Sequence, residues 1–158
     1  IFQLGRKYAE ALDLTVLDQN GKSQVVTMGS YGIGVSRAVA AIAEQTHDEI
    51  GLNWPREIAP ADIHIVATGK EAEVFKAALT LAEDLEEKGL RVMFDDRADA
   101  SAGVKFKDAE LIGIPFIVIV GKALSEGKVE FRVRRTGEKT EIELLKAVTE
   151  ITSRVLNS

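Results

Sequence analysis

Residues 63–94 read IHIVATGKEAEVFKAALTLAEDLEEKGLRVMF, and the change of period inside this stretch decides the fold. Its first five residues are a short apolar run, which reads as a strand. Residues 71–88 then repeat with a helical period. Val74 and Phe75, Ala78, Leu81 and Ala82, and Leu85 form one apolar stripe, and Gly89 is placed to end the helix. Residues 90–94 are extended again. The alternation continues with a helix over 104–112 and a near-continuous apolar strand over 116–120, of the kind buried on both faces. Residues 128–134 alternate cleanly, with Val129, Phe131 and Val133 on one side and Lys128, Glu130, Arg132 and Arg134 on the other. Gly137 turns the chain, and residues 142–156 are predicted to close it with a helix. Strands alternating with helices through short loops predict an α/β domain around a mixed, mostly buried sheet flanked by helices.

The composition suits such a domain. The chain has 158 residues, 46% hydrophobic and 28% charged, which fits a packed protein rather than a disordered one. No apolar run approaches the roughly 20 residues of a membrane span. There is no cysteine, so disulfides and thiolate metal sites are excluded. The net charge of −5 argues against a generally basic nucleic-acid binder, although a local basic patch is compatible with it.

Upstream of residue 60 the pattern differs. The chain begins IFQLG, without a methionine or a signal-peptide pattern, and reads like the middle of a strand, as in a piece of a larger protein. A hairpin is expected over residues 15–31, around the turn Asp18-Gln19-Asn20-Gly21. Residues 35–45 form a helix of small and apolar residues, expected to pack on several sides. Residues 48–60, with two of the three prolines and the only tryptophan, read as a linker in which Trp54 anchors against a core.

Three stretches are candidates for chemistry. The first is MGSYGIGVSR, residues 28–37, a glycine-spaced turn between a strand and a helix. A dinucleotide fingerprint needs a third glycine where Arg37 stands, and no acidic residue follows about 20 positions later in a parallel unit. Asn20-Gly21-Lys22-Ser23 likewise lacks the P-loop glycine, because position 16 is valine. What remains is a turn whose Gly32 and Gly34 let a ligand approach the backbone, with a permanently charged guanidinium at Arg37 suited to a phosphate or a base. The plain alternative is a tight turn beside a surface arginine.

The second is FDDRADASAGVKFKDAELIGIP, residues 94–115. Arg97 and Ala100 occupy positions where a calcium loop needs an acidic residue and a glycine, so no metal site is expected. Open α/β sheets bind ligands at the carboxyl ends of their strands, where Arg97, Lys105, Lys107 and Glu110 offer polar groups to single-stranded bases. A solvated helix start with ion pairs is the competing account. The third is the basic face of residues 128–139, read chiefly as a solvated hairpin. His47 and His64 are isolated and read as structural.

These stretches resemble bacterial-type prolyl-tRNA synthetase, a class II aminoacyl-tRNA synthetase, in order over nearly the whole chain. IFQLGRKYAEAL is similar to a late strand and loop of that family's catalytic domain, and MGSYGIGVSRAVAAIAEQ to its third class II signature. GLNWPREIAPADIHIV is similar to the passage into the C-terminal anticodon-binding domain, and DDRADASAGVKFKDAELIGIP to that domain's most recognisable segment. The resemblance implies two domains: residues 1–58, a fragment of the antiparallel catalytic sheet with its linker, and residues 59–158, the anticodon-binding domain.

It further implies proline activation by ATP with Mg²⁺ as counter-ion, no tightly bound cofactor, and transfer of proline to tRNA-Pro. Gly32, Gly34 and Arg37 would face ATP, with Arg37 catalytic, and Gln3 and Ser30 would line the amino-acid pocket. Asp96, Arg97, Lys105 and Glu110 would read the anticodon. Proline anticodons end in two guanines, whose N1–H and N2–H suit a carboxylate and whose O6 and N7 suit Arg or Lys. The implied full enzyme is a cytoplasmic homodimer, without membrane attachment. Its first two signatures would lie upstream of Ile1, so this chain is expected not to aminoacylate alone, and its exposed sheet edge is expected to favour association. The alternatives are a non-catalytic tRNA-binding accessory protein, which has no need of Arg37 after Gly32-Ile33-Gly34, and the equivalent part of a histidyl- or threonyl-tRNA synthetase.

Overall fold

The computed structural model describes residues 1–157, which form two compact units, one over residues 1–40 and one from Ala41 onward.

In the first unit β1 (Phe2–Gly5) pairs antiparallel with β4 (Met28–Ser30), and β2 (Thr15–Leu17) with β3 (Ser23–Val25). The short helix α1 (Lys7–Ala11) follows β1. The predicted hairpin is therefore shorter than expected, since the chain leaves β3 before Thr27 and re-enters a different sheet as β4. Its turn is set by Asp18, whose Oδ1 accepts from the amides of Asn20 (2.8 Å) and Lys22 (2.9 Å), an Asx turn that closes the strands over Gly21. Ala9 is the only buried side chain among residues 1–40.

Helix α2 (Val35–Thr46) buries no residue, which corrects the expectation that it packs on several sides. Val35 and Val39 are exposed, and Ala38, Ile42 and Ala43 are only partly covered.

The second unit, which begins at Ala41, contains an α/β sheet of the expected mixed kind. A five-stranded sheet runs in the order β6-β5-β7-β8-β9, comprising β5 (Ile63–Ala67), β6 (Val92–Asp95), β7 (Phe116–Val120), β8 (Lys128–Val133) and β9 (Lys139–Glu143). β5 is parallel to both β6 and β7, while β8 and β9 return antiparallel, so the sheet is mixed. Alternation splits the side chains between two layers. Ile63, Ile65 and Ala67 with Phe116, Val118 and Val120 pack against α3 (Ala72–Glu87) and α5 (Leu144–Leu156). Val66, Ile117 and Ile119 pack against Phe106 and Ala109 of α4 (Ala102–Ile112) on the other face.

The closing helix starts at Leu144 rather than 142. Ile142 instead sits opposite Val129 on β8 and is buried, so burying a strand residue outweighed extending the helix.

The segment read as a linker is fastened to this second unit. Leu52 N donates to Leu111 O (3.0 Å), Trp54 N to Gly113 O (3.1 Å), and the Trp54 indole to Ile112 O (3.0 Å). Arg91 donates to the carbonyls of Arg56 and Ala59 and to both carboxylate oxygens of Asp62. Among the described residues no helix is long and apolar enough to cross a membrane.

Candidate nucleic-acid interface

The parallel strands β5, β6 and β7 end at the same edge of the second unit, and the chain leaves β5 toward β6 but returns past it to β7. Such a reversal opens a crevice at the carboxyl ends of the strands. Two features build the site there. Asp95 is the last residue of β6, and Ser101 caps α4 by accepting from Val104 N (3.4 Å). The loop between them carries Asp96, Arg97 and Asp99.

Arg97 is the centre of the cluster. Its Nε and Nη2 donate to the two oxygens of Asp95 (2.9 and 2.7 Å), and Nη2 also donates to Asp108 of α4 (2.8 Å). The Arg97 amide adds a 3.2 Å bond to Asp95. Asp95 is buried, and burial raises its pKa, but the Arg97 side chain outweighs this. With help from the Arg97 amide and the charge of Lys105 it holds the carboxyl at about 2. The same carboxylates push Arg97 well above its ordinary range. The result is a guanidinium that is half exposed yet fixed on two edges, the kind of group that meets a phosphate or the face of a base.

The other predicted contacts fall in three different places. Asp96 is exposed beside Arg97. Lys105 is 1% exposed: its ammonium donates to Ala67 O (2.8 Å) and Asp95 O (3.2 Å), lies 3.6 Å from the Asp95 carboxylate, and sits 5.1 Å from the centre of the Phe75 ring. A surface role for Lys105 therefore does not fit this geometry, because its positive charge is engaged inside the domain. Glu110 lies two residues beyond Asp108, about 200° further round α4 at 3.6 residues per turn. Its carbonyl accepts from Arg134 Nε (3.0 Å).

Sequence reasoning missed Asp95 and Asp108, the two carboxylates that clamp Arg97. The available signal was the spacing Lys105–Asp108, one helical turn, beneath a strand ending in Asp95. It also undervalued His64, which is buried on β5 with no protein partner at Nδ1. Burial pushes its pKa down, against the opposing charge of Asp95.

In the first unit, Gly32, Gly34 and Arg37 lie on the turn from β4 into α2, all exposed. A Cβ built at Gly32 meets nothing within 4 Å, and one at Gly34 meets only Arg37 Cβ at 3.5 Å. Neither glycine has a positive φ. Nothing in the described chain thus requires glycine at either position, and the space above the turn is open. Arg37 forms no ion pair among the described residues. On the paired strands Gln3 lies opposite Gly29 and Phe2 opposite Ser30, so alternation turns Gln3 and Ser30 to different faces.

A separate cleft of about 900 Å³ lies toward the amino end of β7, lined by Trp54, Phe116, Phe131, Arg135 and Arg154 among others. The basic face of residues 128–139 reaches it through Arg135 and Glu138. Among the described residues no group of three or more His, Asp or Glu is arranged to hold a metal ion.

A mixed sheet with a clamped arginine at the carboxyl edge of its parallel strands, between a strand end and a capped helix, has the form of a small α/β ligand-binding domain. Residues 62–154 match the family described as the anticodon binding domain, and the chain belongs to that family. The relatives it resembles are proline–tRNA ligases. That of Nocardioides sp. is 66% identical over 142 residues, covering 90% of this chain and 24% of the relative, and that of Paenarthrobacter aurescens is 61% identical over 155 residues, covering 98% and 26%. The chain thus spans about a quarter of the length of the curated relatives it matches. A crystal structure of prolyl-tRNA synthetase from Cryptosporidium parvum, complexed with L-proline and AMP, superposes with a TM-score of 0.74 at 22% identity, over 98% of this chain and 33% of that one. At that identity the likeness is one of fold.

Proposed function

We propose that the chain serves as the anticodon-reading part of a proline–tRNA ligase, together with the end of its ATP-binding site. The observation that carries this reading is the clamped Arg97 at the carboxyl edge of a sheet whose residues match the anticodon binding domain. The partner is tRNA-Pro. Arg97 and the exposed carboxylate of Asp96 meet the two anticodon guanines, Asp96 as acceptor for N1–H and N2–H. Glu110, on the far side of α4 from Asp108, stands away from this contact. Lys105 contributes from inside the domain.

In the ligase the proline carboxylate attacks the α-phosphate of ATP, forming prolyl-adenylate and releasing pyrophosphate. The terminal ribose hydroxyl of the tRNA then displaces AMP. Arg37 lies against the γ-phosphate and adenine, Gly32 and Gly34 leave the nucleotide room, and Mg²⁺ enters with the phosphates. Catalysis of this kind rests on positioning and charge stabilisation. Gln3 and Ser30 belong to the strand pair beside the amino-acid pocket but face opposite sides of that pair, so only one of them lines the pocket directly. The ligase acts in the cytoplasm as a homodimer.

Titration of the 158-residue chain with tRNA-Pro, and with the same tRNA carrying adenine in place of either anticodon guanine, tests the reading at fixed salt. Each replacement is expected to weaken binding by about 1–3 kcal/mol, the range for one lost base-edge contact. Equal binding of all three RNAs overturns it.

A further inference from the structure

Arg97 spends three of its five N–H donors inside the protein. Nε–H and one Nη2–H go to Asp95, and the second Nη2–H goes to Asp108. The fork that ordinarily grips guanine O6 and N7 is occupied. What faces outward is the Nη1 end and the two faces of the guanidinium plane. The angle of that plane is set by Asp95, since two parallel bonds to one carboxylate fix it.

Asp95 is itself held from below. In the parallel ladder the last pair is Val66 with Asp95, so the Ala67 carbonyl projects beyond the final partner on β6. Lys105 reaches up from α4 into this gap. Its ammonium joins the Ala67 and Asp95 carbonyls, one from each strand, and lies 3.6 Å from the Asp95 carboxylate. The side chain is fully enclosed, with Phe75 along its charged end. A buried cation is costly unless paired, and here its three partners are the two strand ends and the carboxylate that sets Arg97.

Resting on the anticodon reading above, we infer that Lys105 is a positioning residue for RNA recognition: it touches no nucleotide, but ties the ends of β5 and β6 to Asp95 and so presents Arg97 to the RNA by its Nη1 end and its flat face. Lys105 therefore governs specificity without contributing a phosphate contact. Asp108 does the same from the outside, as the exposed half of the clamp.

The probe is an anticodon stem-loop RNA of tRNA-Pro with its two guanines, beside the same RNA with adenines, titrated into the full chain at several salt concentrations. Lys105→Met keeps the length of the apolar stem and removes the ammonium. It is expected to weaken guanine binding about tenfold, as for loss of one good contact, and to erase most of the guanine preference. The slope of log affinity against log salt stays unchanged, because no phosphate contact is lost. Combined with Arg97→Ala, it adds almost nothing, since both act through one group. A residue that merely stabilised the fold would move the melting temperature and leave the preference, the slope and the additivity alone. If Lys105→Met does not fold, Asp108→Ala, at a partly exposed position, carries the test with the same expected losses. Unaltered preference in the folded variant, full additivity with Arg97→Ala, or a salt slope reduced by about one ion overturns the inference. A wild-type chain that binds both RNAs equally overturns the anticodon reading and this inference with it.

Discussion

Arg134 and Asp48, 86 positions apart, meet through two hydrogen bonds of 2.7 and 2.9 Å, and the pair holds the segment 48–56 along the end of α4. Arg134 is the buried partner, and its Nε also donates to the Glu110 carbonyl. Asp48 in turn orders its own turn by accepting from the amides of Ile50 and Gly51. Asp48→Ala is expected to release the strap. In hydrogen exchange, the Leu52 and Trp54 amides should lose protection by at least about tenfold while those of β5 and β7 keep theirs, because local opening is independent of the core. Uniform loss across the sheet would contradict the strap as a separate unit.

Gly113 and Gly89 both follow helices with positive φ, +75° and +82°. At Gly89 an added Cβ meets nothing within 4 Å, whereas at Gly113 it lands 2.0 Å from Leu52 O. Gly89→Ala should cost about 1 kcal/mol, the conformational term alone. Gly113→Ala should cost roughly 2 kcal/mol more, because the strap must also move. Denaturant unfolding of the two variants measures the difference, and equal costs would mean that the strap yields freely.

Acid should unfold the second unit in a defined window. Asp95 and Asp62 are both held at about 2. For Asp62, burial pushes upward but is outweighed by hydrogen bonds from Arg91 and Arg56. Both are depressed in the folded state, so the unfolded chain binds protons more readily below its ordinary carboxylate pKa of about 3.9. Their stabilisation, on the order of 2 kcal/mol each, is complete above that value and is lost as pH falls from about 4 to 2. Asp62→Asn should flatten the pH dependence of the unfolding free energy there and lower the plateau at neutral pH.

His64 adds a second, milder slope. Burial lowers its pKa, so the unfolded state takes up the proton first as pH drops below about 6.5. Stability should therefore decline as pH falls below about 7. His64→Leu should remove that decline without loss at pH 7.5, because it also removes a buried nitrogen that has no protein partner.

Much of the second unit was legible because its periodicities are strong. The helical stripe from Val74 to Leu85 and the apolar runs at β5 and β7 leave little freedom, and the structure puts each where its pattern says. The misreadings arose where tertiary contacts overrode local cues. The prolines and glycine of residues 48–60 look like a linker, but the bonds that fasten it come from Leu111, Gly113 and Arg134, which no local window contains. Ile142 reads equally as strand or helix start until Val129 is opposite it. At the site, the segment was legible as polar and mixed in charge. Which lysine is buried was not, because that depends on the Ala67 carbonyl 38 positions away.

The most direct test of the central claim maps where RNA touches the chain. Backbone amide resonances would be followed while the guanine-bearing anticodon stem-loop is added. The shifts are expected to concentrate on residues 95–101 and the exposed side of α4, with the Arg97 backbone amide among the largest. Shifts confined to the basic hairpin of β8 and β9, or to the cleft around Trp54, would contradict it.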